Sequence, residues 1–217
     1  MRENNYVITV GRQLGSGGGA VAKRLSEYFG FQYIDKEVLI RASKELDIPE
    51  ENLEWIEEKN FSIWGSLLQA NVGDLSYVSP EWYMPTGRQL FETQTRIILE
   101  AAREGSCVVV GRCGSHLFRN HPRHVGVFIC ADEESRLKRL AGFVKGTGED
   151  GRKAIEKADK ERARYFNTYT GGKWLDIDGY DMTIDSSDGN LDRVAQTIIH
   201  YTIGLFPELA RGGVGNV

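Results

Sequence analysis

Five glycines, Gly11, Gly15, Gly17, Gly18 and Gly19, crowd the stretch GRQLGSGGG at positions 11–19, with Ser16 among the last four. Glycine takes positive φ without steric cost and lets backbone N–H groups come close to a ligand. An apolar run, YVITV at 6–10, precedes the stretch, and a helical pattern with Val21, Ala22, Leu25, Tyr28 and Phe29 follows it. Strand, glycine turn and helix N-terminus in that order cradle an anion, because free N–H groups and the helix dipole both favour negative charge. The Ser16 hydroxyl is a further candidate donor. The standard phosphate loop reads G-x-x-x-x-G-K-[ST]. With Gly17 as its second glycine, Arg12 falls at the first glycine, Gly18 at the lysine, and Gly19 and Ala20 where a metal-binding hydroxyl belongs. The cradle is kept, while its usual charged and metal-binding side chains are not. Arg12 and Lys23 are the candidates for the missing positive charge. Arg12 is preferred, because a regular helix points Lys23 away from the loop mouth.

The rest of the chain supplies arginines in places that suit phosphate chemistry. Strand-like and helix-like patterns alternate: strands at 6–10, 31–35, 107–111, 125–131 and 180–185, helices at 18–29, 36–46, 86–104, about 150–168 and 190–204. Pro49 with Glu50 and Glu51 opens one more helix, and Asp132 is placed to cap the helix after 125–131. Alternation with short turns predicts a parallel sheet covered by helices on both faces, with ligands at the carboxyl ends of the strands. Arg12, Arg41 and Arg112 lie near three such ends, and Arg136 and Arg139 follow the fourth. Arginine grips phosphate bidentately, and phosphoryl transfer needs positive groups around the moving phosphate. Asp159 and Arg162 share a helix face, with Arg164 a second partner open to Asp159.

The 217 residues suffice for one domain with a sizeable core, with a net charge of −4. No general nucleic-acid affinity is expected of such a chain, and no apolar run has the length of a membrane span. The first residues show no basic-then-apolar leader pattern, and Cys107, Cys113 and Cys130 have no zinc-like spacing. A reduced, cytoplasmic chain is expected. Residues 60–85 are rich in aromatic and turn residues. They are open to two readings, an interface such as a homodimer uses or the core of a small lobe. Residues 211–217 read as a frayed tail.

Taken in order, ITVGRQLGSGG, YIDKEVLIRAS, CVVVGRCGSHLF, VFICADEESRLKRL, ADKERARYFNTYTGGKW and YDMTIDSS make the chain resemble the cytidylate kinase-like family over residues 5–205. The resemblance implies an α/β fold of the P-loop NTP hydrolase type, nucleoside monophosphate (NMP) kinase-like: a parallel sheet in a three-layer α/β/α arrangement. Residues 1–217 would form one such domain, with a helical insertion: an NMP-binding lobe at 50–85 and a lid at 140–175. It implies phosphoryl transfer from ATP, with Mg2+, to CMP or dCMP. Gly15, Ser16, Gly17, Gly18 and Gly19 would hold the donor phosphates. Asp35 and Arg41 would lie near the acceptor, with Asp159 also on its side, and Arg112 would bind the acceptor phosphate. Arg139 and Arg162 would close from the lid, and Arg12, Arg112, Arg139 and Arg162 would carry catalysis. Asp132 or Asp35 would stand in the outer shell of the magnesium. Two other readings stay open, a weakly active or inactive nucleotide-binding regulatory module and a kinase of another small acceptor.

Overall fold

Side-chain alternation sorts the first strand onto two cores. In strand β1 (Val7–Arg12), Ile8 and Val10 pack with Val21, Ala22 and Leu25, while Val7 packs with Leu90, Ile97 and Ile98. Strand β3 (Cys107–Val110) divides the same way, Cys107 and Val109 to one core and Val108 and Val110 to the other. A strand apolar on both faces belongs in the middle of a helix-covered parallel sheet. The computed structural model, which describes residues 5–35, 37–46, 87–141 and 148–211, places both strands there. Five parallel strands run in the order β2 (Gln32–Ile34), β3, β1, β4 (His124–Cys130) and β5 (Met182–Asp185). Val7 pairs with Cys107 on one side and His124 on the other, so the carboxyl ends of the three central strands are level.

Helix α1 (Gly18–Phe29) covers one face of this sheet together with the helix at Leu191–Leu205. Helix α2 (Glu37–Glu45), helix α3 (Gly87–Glu104) and the short helix α4 (Gly114–Phe118) cover the other. Helix α5 (Glu133–Leu140) and helix α6 (Gly148–Thr170) follow β4, and Asp132 caps α5 by accepting from the Ser135 amide at 2.7 Å, as expected. The last helix, α7, is Leu191–Leu205.

The expected elements recur with small shifts. The second strand starts at Gln32 because the Phe31 amide closes the end of α1 on the Ser26 carbonyl. The last begins at Met182 because the Tyr180 amide turns back to Ile177. The helix expected after Pro49, the whole lobe at 50–85 with its segment 60–85, residues 142–147 of the expected lid, and the tail beyond 211 lie outside the described residues. Gly11 belongs to the sheet for a packing reason. A Cβ there would stand 2.8 Å from the Phe128 ring and 2.9 Å from that of Tyr180. Gly11→Ala is expected to cost about 1–3 kcal/mol by overpacking. Urea unfolding within about 0.5 kcal/mol of wild type would show that the two rings yield freely.

Candidate active site

The glycine loop forms between β1 and α1. Gly15 and Gly17 stand at φ 78° and 79°, and Gly17 is the N-cap of α1 with no side-chain cap. Among the described residues nothing accepts from the amides of Gly17, Gly18 and Gly19. Three glycines are also demanded by their neighbours. A Cβ on Gly15 would lie 2.8 Å from the Arg136 carbonyl, one on Gly17 2.6 Å from Leu191, and one on Gly18 2.6 Å from Arg12 Cβ, whereas Gly19 has open space. Ser16 is fully buried, and its hydroxyl donates to the Gln13 carbonyl at 2.9 Å rather than to the loop mouth.

Behind the loop, four side chains grip its backbone. Arg136 Nε donates to the Leu14 carbonyl at 2.6 Å, and its Nη2 pairs with Asp159 at 2.5 Å. The other Asp159 oxygen accepts from the Leu14 amide at 3.1 Å. Arg139 donates to the Gly15 carbonyl at 3.1 Å and to that of Ser186. Arg162, one turn beyond Asp159 on α6, donates to the Arg12 carbonyl at 2.8 Å. Asp159 thus pairs with Arg136 of α5, not with Arg164 of its own helix. Arg139 and Asp159, expected over the transferring group and the acceptor, bond to the loop's outer side.

In front of the loop, Arg12, Arg112 and Arg162 line one pocket. Burial holds the Arg12 guanidinium below its ordinary value, Asp35 opposes this and Arg112 adds to it. Burial, and then the charge of Arg12, pull Arg162 down to about 9. A cation destabilised in this way gains from any anion that faces it. Arg112 is aimed by unusual backbone: Gly111, Arg112 and Cys113 stand at φ 72°, 52° and 58° in succession. Each non-glycine residue in the left-handed region costs about 1–2 kcal/mol, and such strain collects at functional sites. The opposite wall is aromatic, made by Tyr165, Phe166, Trp174 and Tyr180. Trp174 and Phe128 meet edge to face at 5.3 Å.

Glycine loop, strained arginine turn after β3 and paired α5–α6 brace fall inside one matched span, since residues 7–188 match the cytidylate kinase-like family. The chain belongs to the cytidylate kinase-like family. Among solved structures it is similar to an uncharacterized protein from Eubacterium ventriosum, 24% identical with a TM-score of 0.65, covering 91% of this chain and 98% of that one. It is also similar to shikimate kinase from Acinetobacter baumannii in complex with shikimate, 14% identical with a TM-score of 0.51, covering 93% and 95%. No protein of curated function matches. The fold is that of the P-loop kinases, a five-stranded parallel sheet between helices. No helix among the described residues is long and apolar enough to cross a membrane.

Within this family fold, the loop fits a phosphate chain: the amides of Gly17, Gly18 and Gly19 have no acceptor among the described residues, and Gly19 faces open space. Magnesium finds less. The helix start bears no hydroxyl at Gly19 or Ala20. Asp132 caps α5, and Asp35 is engaged by Arg12 Nη2 at 3.4 Å and by the Tyr33 hydroxyl at 3.1 Å. Among the described residues, the side chains at the loop therefore do not form a dedicated metal site.

Arg41 stands apart from the pocket. It lies exposed on α2, 3.2 Å from both Glu45 and Glu100, in a network that Arg96 joins. Because exposed ion pairs contribute little, Arg41→Ala is expected to change unfolding stability by less than about 1 kcal/mol. A larger loss by urea titration would mean that the network acts as a unit.

Sequence reasoning named Arg136 among the arginines after the fourth strand but missed its buried bracing role, and it missed the aromatic wall. The signal for the wall was available: Tyr165 and Phe166 follow Arg162 at i+3 and i+4 and so share its helix face. Cys113, on the pocket floor, is no nucleophile. Burial pushes its thiol, and that of Cys107, up to about 12, so both stay protonated at every ordinary pH. Only thiolate reacts with iodoacetamide. At about pH 8 both are expected to stay unlabelled in the folded protein and to react in urea. Prompt labelling of folded protein, read by mass spectrometry, would show the pocket floor opening.

Proposed function

We propose that this protein is an ATP-dependent nucleoside monophosphate kinase, with CMP and dCMP as acceptors. One observation carries the reading: Arg12, Arg112 and Arg162 line a single pocket, and the Arg12 stem runs against Gly18 in the uncapped first turn of α1. Family membership supports the reaction class. Bound ATP, with Mg2+, supplies the phosphoryl group. The loop at Gly15–Gly19 holds the donor phosphates through the amides of Gly17, Gly18 and Gly19, and Arg112 and Arg162 hold the acceptor phosphate. Arg12 stands between the two. Asp35 lies on the acceptor side through its contact with Arg12, while Arg139 and Asp159 act by fixing the loop. The acceptor phosphate is already anionic, so no general base is required. The protein's task is to align, neutralise and exclude water, and the aromatic wall supplies the dry side. Residues 50–85 as acceptor lobe and 140–175 as lid belong to the same reading, as does a cytoplasmic setting, where ATP and free nucleotides meet.

Gly18, standing where the loop lysine is expected, favours a second reading, a nucleotide-binding module with little turnover. The fold shared with a shikimate kinase keeps a small hydroxyl acceptor in view. A coupled ADP-release assay decides among them, with Mg-ATP against CMP, dCMP, UMP, AMP, GMP, shikimate and no acceptor. Turnover that prefers CMP or dCMP is the expected result. ATP binding by calorimetry without acceptor-dependent ADP would replace the kinase by the binding module, and turnover with shikimate alone would replace the acceptor.

A further inference from the structure

We infer that Arg12 and any side chain rooted at position 18 exclude one another, and that Arg12, entering from the strand, is the loop's cation in place of a lysine entering from the helix. The inference deepens the kinase reading and depends on it only for the identity of the anion. Its geometry is independent. A Cβ on Gly18 would lie 2.6 Å from Arg12 Cβ, 3.2 Å from Cγ and 3.5 Å from Cδ, so the arginine stem runs along the first turn of α1. Farther out, Arg12 Nη1 occupies the place a Cβ on Gly111 would take. Two glycines from separate loops thus hold a corridor open for one side chain.

The stem cannot step aside. The collision at Gly18 involves Arg12 Cβ, not a flexible tip, and Arg12 is held in the sheet opposite Ile129 with its carbonyl bound by Arg162. A lysine at 18 therefore needs Arg12 gone, and Arg12 needs glycine at 18. At the end of the corridor, the guanidinium meets Asp35 at 3.4 Å, a long contact that an entering phosphate can replace. Lys23, the other candidate from the sequence, is exposed on α1. In the departure from G-x-x-x-x-G-K-[ST], the charge is then kept by an exchange between two positions, while Gly19 still replaces the hydroxyl.

The test is a double-mutant cycle of Arg12→Gly with Gly18→Ala and with Gly18→Lys, read in two ways. Thermal unfolding reads the exclusion without any ligand. Gly18→Ala is expected to lower the midpoint by about 3–10 °C in the wild type and to leave it unchanged or raised beside Arg12→Gly. Equal shifts in both backgrounds would overturn the exclusion. A Gly18→Ala chain that folds only beside Arg12→Gly supports it. Calorimetry with inorganic triphosphate and with a non-hydrolysable ATP analogue reads the charge. Arg12→Gly and Gly18→Lys alone should each weaken binding by about tenfold to a hundredfold, the worth of charge-assisted hydrogen bonds. The double variant Arg12→Gly/Gly18→Lys should return to within about threefold of wild type. Unchanged affinity in Arg12→Gly, or no recovery in the folded double variant, overturns the role of Arg12, as does a wild type that binds neither probe. If binding follows the variants but no nucleotide acceptor is phosphorylated, the kinase reading fails and this inference stands.

Discussion

Arg112→Ala is expected to lower acceptor-dependent turnover by about 10²–10³-fold, the usual effect of removing one preorganised charge from a transferring group. The guanidinium lines the same pocket as Arg12 and Arg162, and its charge is felt at Arg12. Its backbone makes the experiment sharper. At φ 52° Arg112 sits where L-residues are strained, between Gly111 at 72° and Cys113 at 58°. Arg112→Gly removes the same charge but relieves the strain. It should therefore be as inactive as Arg112→Ala while unfolding about 0.5–1 kcal/mol later. Stability maintained at the cost of strain, for the sake of a charge aimed at a ligand, is the trade between stability and activity seen at many active sites. If Arg112→Ala keeps turnover within about threefold of wild type, the acceptor phosphate is held elsewhere. If glycine and alanine variants are equally stable, the left-handed turn is not strained.

Asp159→Ala is expected to be the most destabilising single change away from the apolar core, by about 3–5 kcal/mol, because it leaves a buried guanidinium without its counter-ion. Arg136 is 6% exposed and its pair with Asp159 spans 2.5 Å. The same carboxylate accepts from the Leu14 amide, so the loop loses a fixed point as well. Denaturant titration measures the first effect, and affinity for a non-hydrolysable ATP analogue measures the second. Removing both partners as Arg136→Met/Asp159→Leu should cost less than Asp159→Ala alone, since no charge is then stranded. A loss under about 1 kcal/mol for Asp159→Ala would mean that water reaches Arg136 and that the brace is loose.

The two predictions concern opposite sides of one loop. Arg112 acts in front, where ligands arrive. Asp159, Arg136, Arg139 and the Arg162 bond act behind, on the carbonyls and the amide of residues 12–15. Helix α6 serves both sides, since Asp159 and Arg162 hold the loop while Arg162, Tyr165 and Phe166 face the pocket. A loop stripped of its lysine is in this way made rigid from outside.

By itself the sequence determined the layered fold and the location of the site. Short continuous apolar runs in YVITV and CVVV, helical periodicity after each, and glycines between them are local signals, legible because they act within one turn or one strand. They place the loop at 11–19 and Arg112 after the third strand, and the structure has both there. It has Arg12, Arg112 and Arg162 around one pocket although 150 residues separate the first from the last. Only the tertiary structure decided what each charge meets. The spacing of Arg136 and Arg139 places them on one helix face but is silent on what that face packs against, which proved to be the back of the loop. The family resemblance implied a shared place near the acceptor for Asp35 and Arg41. Yet Asp35 ends at Arg12 and Arg41 on an exposed network with Glu45 and Glu100, because Val38, Leu39 and Ala42 take the buried face of α2 and leave Arg41 on its exposed side. Gly18 read as a lost lysine from sequence and as room for Arg12 from structure. A steric demand between residues on a strand and a helix exists only once both are placed.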